Sequence, residues 1–169
     1  MNDRQFAQRL VEMLEAGLAT YRIMIPWADL QIRDHDGLTP SWLCDVAVAK
    51  DRLSVIRAVR ALAYSEPFEA LTFSEEHYRV SCLFLRYERR EISWATFLSE
   101  AGLFTDAVSG ELHCEEFYAL LNALEESQYD VALEAQQVNT IREEFGRHIS
   151  EVRNDYRRLL QEGDAGPVE

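Results

Sequence analysis

One short segment, His113-Cys114-Glu115-Glu116, places three kinds of metal-ligating side chain next to one another. Imidazole, thiolate and carboxylate groups are the ligands from which protein zinc sites are built. Adjacent residues of a helix, however, point about 100° apart, and only residues three or four apart share a face. We therefore favour a solvated acidic helix face over a metal site, and we predict no metal and no cofactor.

A second arrangement lies nearer the C-terminus, where Glu144 and His148 are four residues apart and Arg142 precedes both. The spacing of Arg142 and His148, Arg-x5-His, resembles the Arg-x4–6-His motif of RNA-cleaving helical-bundle nucleases. The polar residue that typically follows the arginine in that motif is replaced here by Glu143. A net charge of −13 also opposes phosphate binding. We therefore interpret these residues as an exposed, salt-bridged helix face and predict no nucleic-acid partner.

Other catalytic motifs are missing from the sequence. There is no glycine-rich phosphate loop, no Gly-x-Ser-x-Gly, no His-Glu-x-x-His and no Cys-x-x-Cys. No histidine is preceded three positions earlier by glutamate, which excludes the Glu-x-x-His pairs of four-helix di-iron proteins. The sequence nominates no reaction, so we favour a protein that is not an enzyme, and a helical enzyme without motifs stays open as an alternative.

The distribution of charge is the most informative feature. Between Glu91 and Ile141 there is no lysine or arginine, and the segment carries ten of the chain's 30 acidic residues. The chain's net charge is −13, so this segment holds −10 of it. A concentration of one charge sign creates a local field that attracts a basic partner. Such a surface is typical of a protein that binds another protein.

Four arginines could neutralise part of that charge. Arg79, Arg86, Arg89 and Arg90 share one side of a predicted helix, with acidic residues on either side of them in the sequence. Complementation of part of the acidic segment, within the fold or across a dimer, explains this basic face better than nucleic-acid binding does. This possibility limits what the acidic segment implies about partners.

Size and composition indicate a folded protein. A chain of 169 residues that is 47% hydrophobic and 11% aromatic can bury a sizeable core. Cys44, Cys82 and Cys114 are odd in number and lie among apolar neighbours, so we expect buried, reduced thiols. No apolar run approaches the roughly 20 residues that cross a bilayer, and residues 1–9 lack a signal-peptide core. We expect a cytoplasmic protein without a membrane partner.

Hydrophobic spacing predicts helices nearly throughout and no strand of convincing length. Trp27, Trp42 and Trp94 each fall near a predicted helix start, where we expect core anchors rather than ligand-stacking residues. The predicted helices cover residues 3–16, 27–32, 39–49, 51–63, 74–90, 93–102, 111–126 and 129–160. The last would be about 45 Å long at 1.5 Å per residue. The predicted fold is an all-α, single-domain bundle of six to eight helices over residues 1–162, followed by a flexible tail, 163–169.

These observations favour a small acidic protein-binding module, of the immunity or inhibitor type, that masks a basic protein. Carboxylates on a rigid helix accelerate and orient such an association, and exposed tyrosines anchor it. The partner-binding residues that we predict are Glu111, Glu115, Glu116, Tyr118, Glu125, Glu126 and Asp130, with Tyr129 as a further anchor. One alternative is a self-assembling scaffold, a homodimer through the C-terminal helix. Another is a secretion chaperone, although those proteins usually carry a β-sheet.

Overall fold

The computed structural model describes residues 3–35, 37–107 and 110–163, which form nine α-helices and no strand. The all-α prediction is confirmed, although the helix number within these ranges exceeds the six to eight that we expected. No helix in the described ranges is long and apolar enough to span a bilayer. The helices are α1 (Asp3–Glu15), α2 (Tyr21–Arg33), α3 (Ser41–Ala47), α4 (Arg52–Ala63), α5 (Glu75–Glu88), α6 (Trp94–Ala107), α7 (Cys114–Glu126), α8 (Val131–Glu144) and α9 (Gly146–Gly163).

The chain divides into two compact units, and unit 1 comprises the described residues within Met1–Phe73 and Arg153–Glu169. In this unit α1 packs against α4, and α3 packs against both α2 and α4. The buried amide of Gln8 joins two segments, because its Nε2 donates to the backbone oxygens of Ala63 (3.3 Å) and Glu69 (3.1 Å). Arg9 pairs with Asp155 of α9 at 2.7 Å. An apolar core and a few buried polar contacts therefore stabilise unit 1.

Unit 2 comprises Ser74–Val152, in which α6 packs against α5 and α7, and α7 packs against α8. Its centre is Trp94, which is 1% exposed and stacks on Phe97 with ring centroids 4.5 Å apart. The indole Nε1 of Trp94 donates to Gln137 Oε1 at 2.8 Å, and Gln137 Nε2 donates to the backbone oxygen of Leu120 at 2.9 Å. The buried Gln137 amide therefore fixes α8 to both α6 and α7.

Two helices begin where the sequence predicts. Asp51 Oδ1 accepts from the Ser54 amide at 2.9 Å, and Ser74 Oγ accepts from the His77 amide at 3.5 Å, so both residues cap a helix. A third cap, Asp130, was not predicted, since we expected the last helix to begin at Tyr129. Its Oδ1 accepts from the Leu133 amide at 2.8 Å. Asp130 therefore has a structural role that any substitution there must take into account.

Two predicted helix boundaries are wrong for identifiable reasons. The sequence predicts a helix only from residue 27, after Pro26, yet α2 begins at Tyr21 and runs through Pro26. A proline within the first two turns removes a single intrahelical hydrogen bond, and burial of Met24 and Trp27 opposes that loss. Gly102 was expected near the end of its helix, but it lies inside α6. A β-carbon there would lie 2.7 Å from Cε1 of Tyr118, so this glycine makes room for a ring.

The long C-terminal helix is interrupted at one residue. Phe145 (φ −94°, ψ 6°) separates α8 from α9, while its amide still donates to Ile141 O and its oxygen accepts from Ile149 N, each at 2.9 Å. Gly146, a poor helix former, follows the break. Because the break adds no residue, the apolar spacing passes through it unchanged, and periodicity could not reveal it.

The cysteine prediction holds in part. None of the three cysteines forms a disulfide, and Cys82 is buried, but Cys44 is exposed and Cys114 half-buried. Cys44 lies on the outer face of the short helix α3, whose buried residues are Leu43 and Val46.

The single domain over residues 1–162 stays a prediction. The chain divides into two compact units, but compactness alone does not test whether each unit folds independently. Residues 164–169 of the predicted tail lie outside the described residues.

Candidate functional site

The acidic residues of α7 and its flanking loops form the candidate site, which we call the acidic face. Phe117 and Leu124 are buried on one side of α7, and the glutamates of the helix lie away from them. Within the part of the chain that the structure describes, none of its carboxylates enters an ion pair. The residues of the acidic face, all exposed, are Glu111, Glu115, Glu116, Glu125, Glu126 and Asp130.

Other carboxylates of the same segment are neutralised or bonded within unit 2. Arg86 pairs with Glu100 at 3.2 Å, and Glu91 receives the guanidinium of Arg89 at 2.6 Å. The expected complementation by arginines therefore reaches these two glutamates and leaves the acidic face to solvent. Arg79 is engaged differently, with its guanidinium 4.2 Å from the centroid of the Phe104 ring.

Glu134, a further member of the acidic segment, accepts the hydroxyl of Tyr87 at 2.8 Å. Burial, followed by the bond to Glu134, raises the pKa of Tyr87 to about 12. The acidic segment thus separates into carboxylates with partners inside unit 2 and carboxylates that face outward.

A buried carboxylate fixes the loop from which the acidic face begins. Glu76, 8% exposed in the first turn of α5, accepts through Oε2 from the backbone amides of Glu111 (2.8 Å) and Leu112 (3.1 Å). Gly110 must be small, because a β-carbon there would overlap the Glu76 carboxylate. These contacts also explain why α7 begins at Cys114 and not at Glu111 as predicted. Sequence reasoning missed Glu76, because its partners are backbone amides 35 and 36 residues further along the chain.

The His113–Glu116 segment, singled out for its ligand types, does not assemble a metal site. No group of three or more potential ligands is arranged around a common point among the described residues. The thiol of Cys114 donates to Asp106 Oδ1 and Glu115 Oε2, each at 3.5 Å. Partial burial and these two carboxylates raise the pKa of Cys114, and the backbone amide of Glu115 together with the thiol lowers the pKa of the Glu115 carboxyl.

The two tyrosines predicted as anchors differ in their surroundings. Tyr118 is half-buried, and its ring fills the space above Gly102. Tyr129 is 55% exposed and follows the C-terminus of α7 in a left-handed turn, with φ of 56° at Gln128 and 62° at Tyr129. The amide of Tyr129 donates to Leu124 O at 2.8 Å, closing a Schellman motif without the usual glycine. Positive φ is unusual for a bulky residue, and the strain is placed beside the acidic face.

An apolar groove of about 210 Å³ lies between α7 and α8, next to the acidic face. Buried Phe117, Ile141 and Phe145 form its floor. The exposed carboxylates of Glu116 and Glu144 stand at its rim. An apolar side chain with a neighbouring cation would find complementary surroundings there.

Arg142 and His148, the pair with the nuclease-like spacing, do not converge. The guanidinium of Arg142 lies 3.6 Å from Glu88, whereas the His148 ring lies 4.8 Å from that of His77. Eleven residues of α5 separate these two contacts, about 16 Å along the helix axis. Burial, then the neighbouring His77, lowers the pKa of His148. The two residues are thus placed for separate packing roles.

No protein-family model, no curated protein and no solved structure matches this chain. The interpretation of the site accordingly rests on the chain's own geometry. That geometry supplies an exposed set of carboxylates without ion partners in the described residues, a strained exposed tyrosine and an apolar groove. All three are features that are common at protein-binding surfaces, and none of them places a nucleophile beside a base in a cavity.

Proposed function

We propose that this chain is a small protein-binding module, of the immunity or inhibitor type, that holds a basic protein against its acidic face. The observation that carries the proposal is the exposure of the six carboxylates while Glu91 and Glu100 of the same segment are paired with arginines. Unpaired surface charge of one sign raises the rate of association with a partner of opposite charge and orients it.

The groove beside the acidic face supports the same proposal. Interfaces between proteins combine an apolar centre with a polar rim, and the groove has Phe117 and Phe145 at its floor and Glu116 at its rim. The partner segment that fits is amphipathic, with one apolar side chain for the groove and arginine or lysine on both sides of it. Tyr129, exposed at the end of α7, would lie at the margin of such a contact.

A cytoplasmic location is part of the proposal. No disulfide joins Cys44, Cys82 and Cys114, as is usual for proteins kept in a reducing compartment. Two alternatives receive less support. The break at Phe145 removes the unusually long helix that motivated self-assembly, and the described residues contain no strand of the kind that secretion chaperones usually carry.

The test uses a variant that removes negative charge and keeps the size and shape of the side chains. Glutamine replaces five residues of the acidic face, namely Glu111, Glu115, Glu116, Glu125 and Glu126. Asp130 is left unchanged because it caps α8. Both this variant and its control lose five negative charges relative to the natural chain.

The matched control removes exposed carboxylates that lie outside the acidic face. Its five substitutions are Asp29→Asn, Asp34→Asn, Asp45→Asn, Glu66→Gln and Glu143→Gln. Asp34 pairs with Arg33 at 3.1 Å, but both side chains are more than half exposed, so the loss of this ion pair costs little stability. The control therefore tests net charge without altering the acidic face.

The tagged natural chain is first used to capture a basic protein from host lysate at about 50 mM salt, with release at about 500 mM, and that protein is then purified. Calorimetric titration gives its Kd for the natural chain and for both variants. We expect the acidic-face variant to bind at least about tenfold more weakly and the control variant to change by less than about threefold. If the two variants weakened binding equally, the acidic face would act only through the net charge of the chain, and this result would contradict the proposal.

A further inference from the structure

The groove between α7 and α8 is bordered by a helix on each side. The lining residues that belong to these helices are Glu116, Phe117 and Leu120 on α7 and Thr140, Ile141 and Glu144 on α8. On each helix they recur at steps of three or four residues, as the members of one helix face do. They also span four residues on each helix, which is about 6 Å along the axis. The groove is therefore about one helical turn long.

The helical borders of the groove limit the backbone conformation of an occupant. An α-helix directs its amides and carbonyls along its own axis, so neither border offers a row of backbone groups to a neighbouring segment. An extended segment in the groove would lose hydrogen bonds with water and not replace them, whereas a helix keeps its own. The described residues also contain no strand to whose edge a partner strand could add. The occupant that fits is therefore a helix.

The charges at the rim and the volume of the groove define the side chains of that helix. Exposed Glu116 and Glu144 belong to opposite borders, and neither enters an ion pair within the described residues. The residues outside the described ranges include no lysine or arginine. A cavity of about 150 Å³ encloses benzene, so this groove of about 210 Å³ takes one large apolar side chain and part of a second.

We propose that the groove binds a basic amphipathic α-helix of the partner, with apolar side chains one turn apart against Phe117 and Ile141 and cations at Glu116 and Glu144. This inference rests on the proposed function and names the partner segment through which it acts. It adds Glu144 and Thr140, which lie outside the acidic face, to the binding site. If the groove were only imperfect packing between α7 and α8, a basic peptide would bind by charge alone, whatever the spacing of its apolar residues.

Three synthetic peptides of equal length and charge separate these two possibilities. The helix peptide, about 14 residues long, has leucine at positions i, i+4 and i+7, arginine on both sides of that stripe and alanine elsewhere. The scrambled peptide has the same composition with its leucines distributed around the helix, and the proline peptide has proline in place of one central alanine. In calorimetric titration of the full chain at about 50 mM salt, we expect a Kd on the order of 10 µM for the helix peptide. The other two should bind at least about tenfold more weakly.

Two variants of the chain locate the peptide in the groove. Thr140→Trp fills the groove from an exposed position at its rim and should weaken the helix peptide at least about tenfold, with the fold checked by circular dichroism. Glu144→Gln should weaken it about threefold, because an exposed charge pair contributes little. The matched control is Glu143→Gln, which removes the adjacent exposed carboxylate that does not line the groove and should leave the Kd unchanged.

Several results would overturn this inference. Equal binding of the helix and scrambled peptides would indicate attraction by charge alone, and equal binding of the helix and proline peptides would indicate an extended segment. Equal losses for Glu144→Gln and Glu143→Gln, or no binding of the helix peptide by the folded chain, would also contradict it. The proposed function is tested separately, by the affinity of the captured basic protein for the acidic-face variant and its control. If that difference persisted while the helix peptide failed to bind, only the assignment of the groove would be wrong.

Discussion

The contact between Glu76 and the loop before α7 predicts a specific pattern of stability. Each of its two hydrogen bonds, at 2.8 and 3.1 Å, joins a backbone amide to a charged acceptor, and such a bond contributes about 1.5–3 kcal/mol. Glu76→Ala should therefore lower the free energy of unfolding by about 3 kcal/mol or more. Glu76→Gln keeps an oxygen acceptor but loses its charge, and we expect a loss of about 2 kcal/mol.

Gly110→Ala completes a double-mutant cycle. The φ of Gly110 lies outside the left-handed region, so the backbone itself accepts alanine, and the cost comes from overlap between the new β-carbon and the Glu76 carboxylate. In the natural chain this overlap should break the same hydrogen bonds and cost about 3 kcal/mol. In the Glu76→Ala background the carboxylate is absent, and Gly110→Ala should cost less than about 1 kcal/mol.

Urea unfolding, monitored by circular dichroism, gives the free energy of unfolding of the natural chain, of the two single variants and of the double variant. The expected coupling energy between the two positions is at least about 2 kcal/mol. Additive effects, with no coupling beyond about 0.5 kcal/mol, would refute the reasoning, because the carboxylate and the glycine would then act independently. A control at Glu75, the half-buried neighbour of Glu76, should change stability by less than about 0.5 kcal/mol when replaced by glutamine.

Three further predictions follow from local geometry. Burial and the neighbouring His77 lower the pKa of His148, so the unfolded chain binds more protons than the folded chain as the pH falls. The free energy of unfolding should therefore be highest above about pH 6.5 and should decrease below it. In unfolding experiments at several pH values, His148→Gln should reduce this dependence. Gln128→Gly should raise the free energy of unfolding by about 1 kcal/mol, measured in urea, since glycine adopts φ of 56° without strain, and a loss would contradict the assigned turn. In native buffer, maleimide should modify exposed Cys44 rapidly, whereas buried Cys82 should react only after unfolding, as mass spectrometry of the peptides can show.

Periodicity in the sequence predicts the surface of α7 well. Phe117 and Leu124 are buried while Glu125 and Glu126 are exposed, because an amphipathic helix has one way to bury its apolar stripe. Part of the arginine complementation was also predictable, since the sequence places Arg86 on the arginine face of one helix and Glu100 in the acidic segment that follows it. Both features follow from residue type and from spacing along the sequence.

Features that depend on contacts between distant residues were not predictable. The bonds from Glu76 span 35 and 36 residues, and nothing local distinguishes this glutamate from Glu75 beside it. The left-handed turn at Gln128 lacks the glycine that usually marks such a turn. The break at Phe145 leaves the apolar spacing intact. In each case a tertiary contact or backbone angle decides the structure, and neither has a local signature.

The placement of tryptophan gives each unit its own fluorophore. Trp94 is enclosed in unit 2, and its Nε1 is bonded to Gln137, whereas Trp27 and Trp42 belong to unit 1. A Trp94→Phe variant therefore emits only from unit 1, and a variant with phenylalanine at both Trp27 and Trp42 emits only from unit 2. Coincident emission changes on denaturation would identify one cooperative folding unit over residues 1–162, and separate midpoints would identify two. The chain thus contains, without any added label, the two probes needed to count its cooperative units.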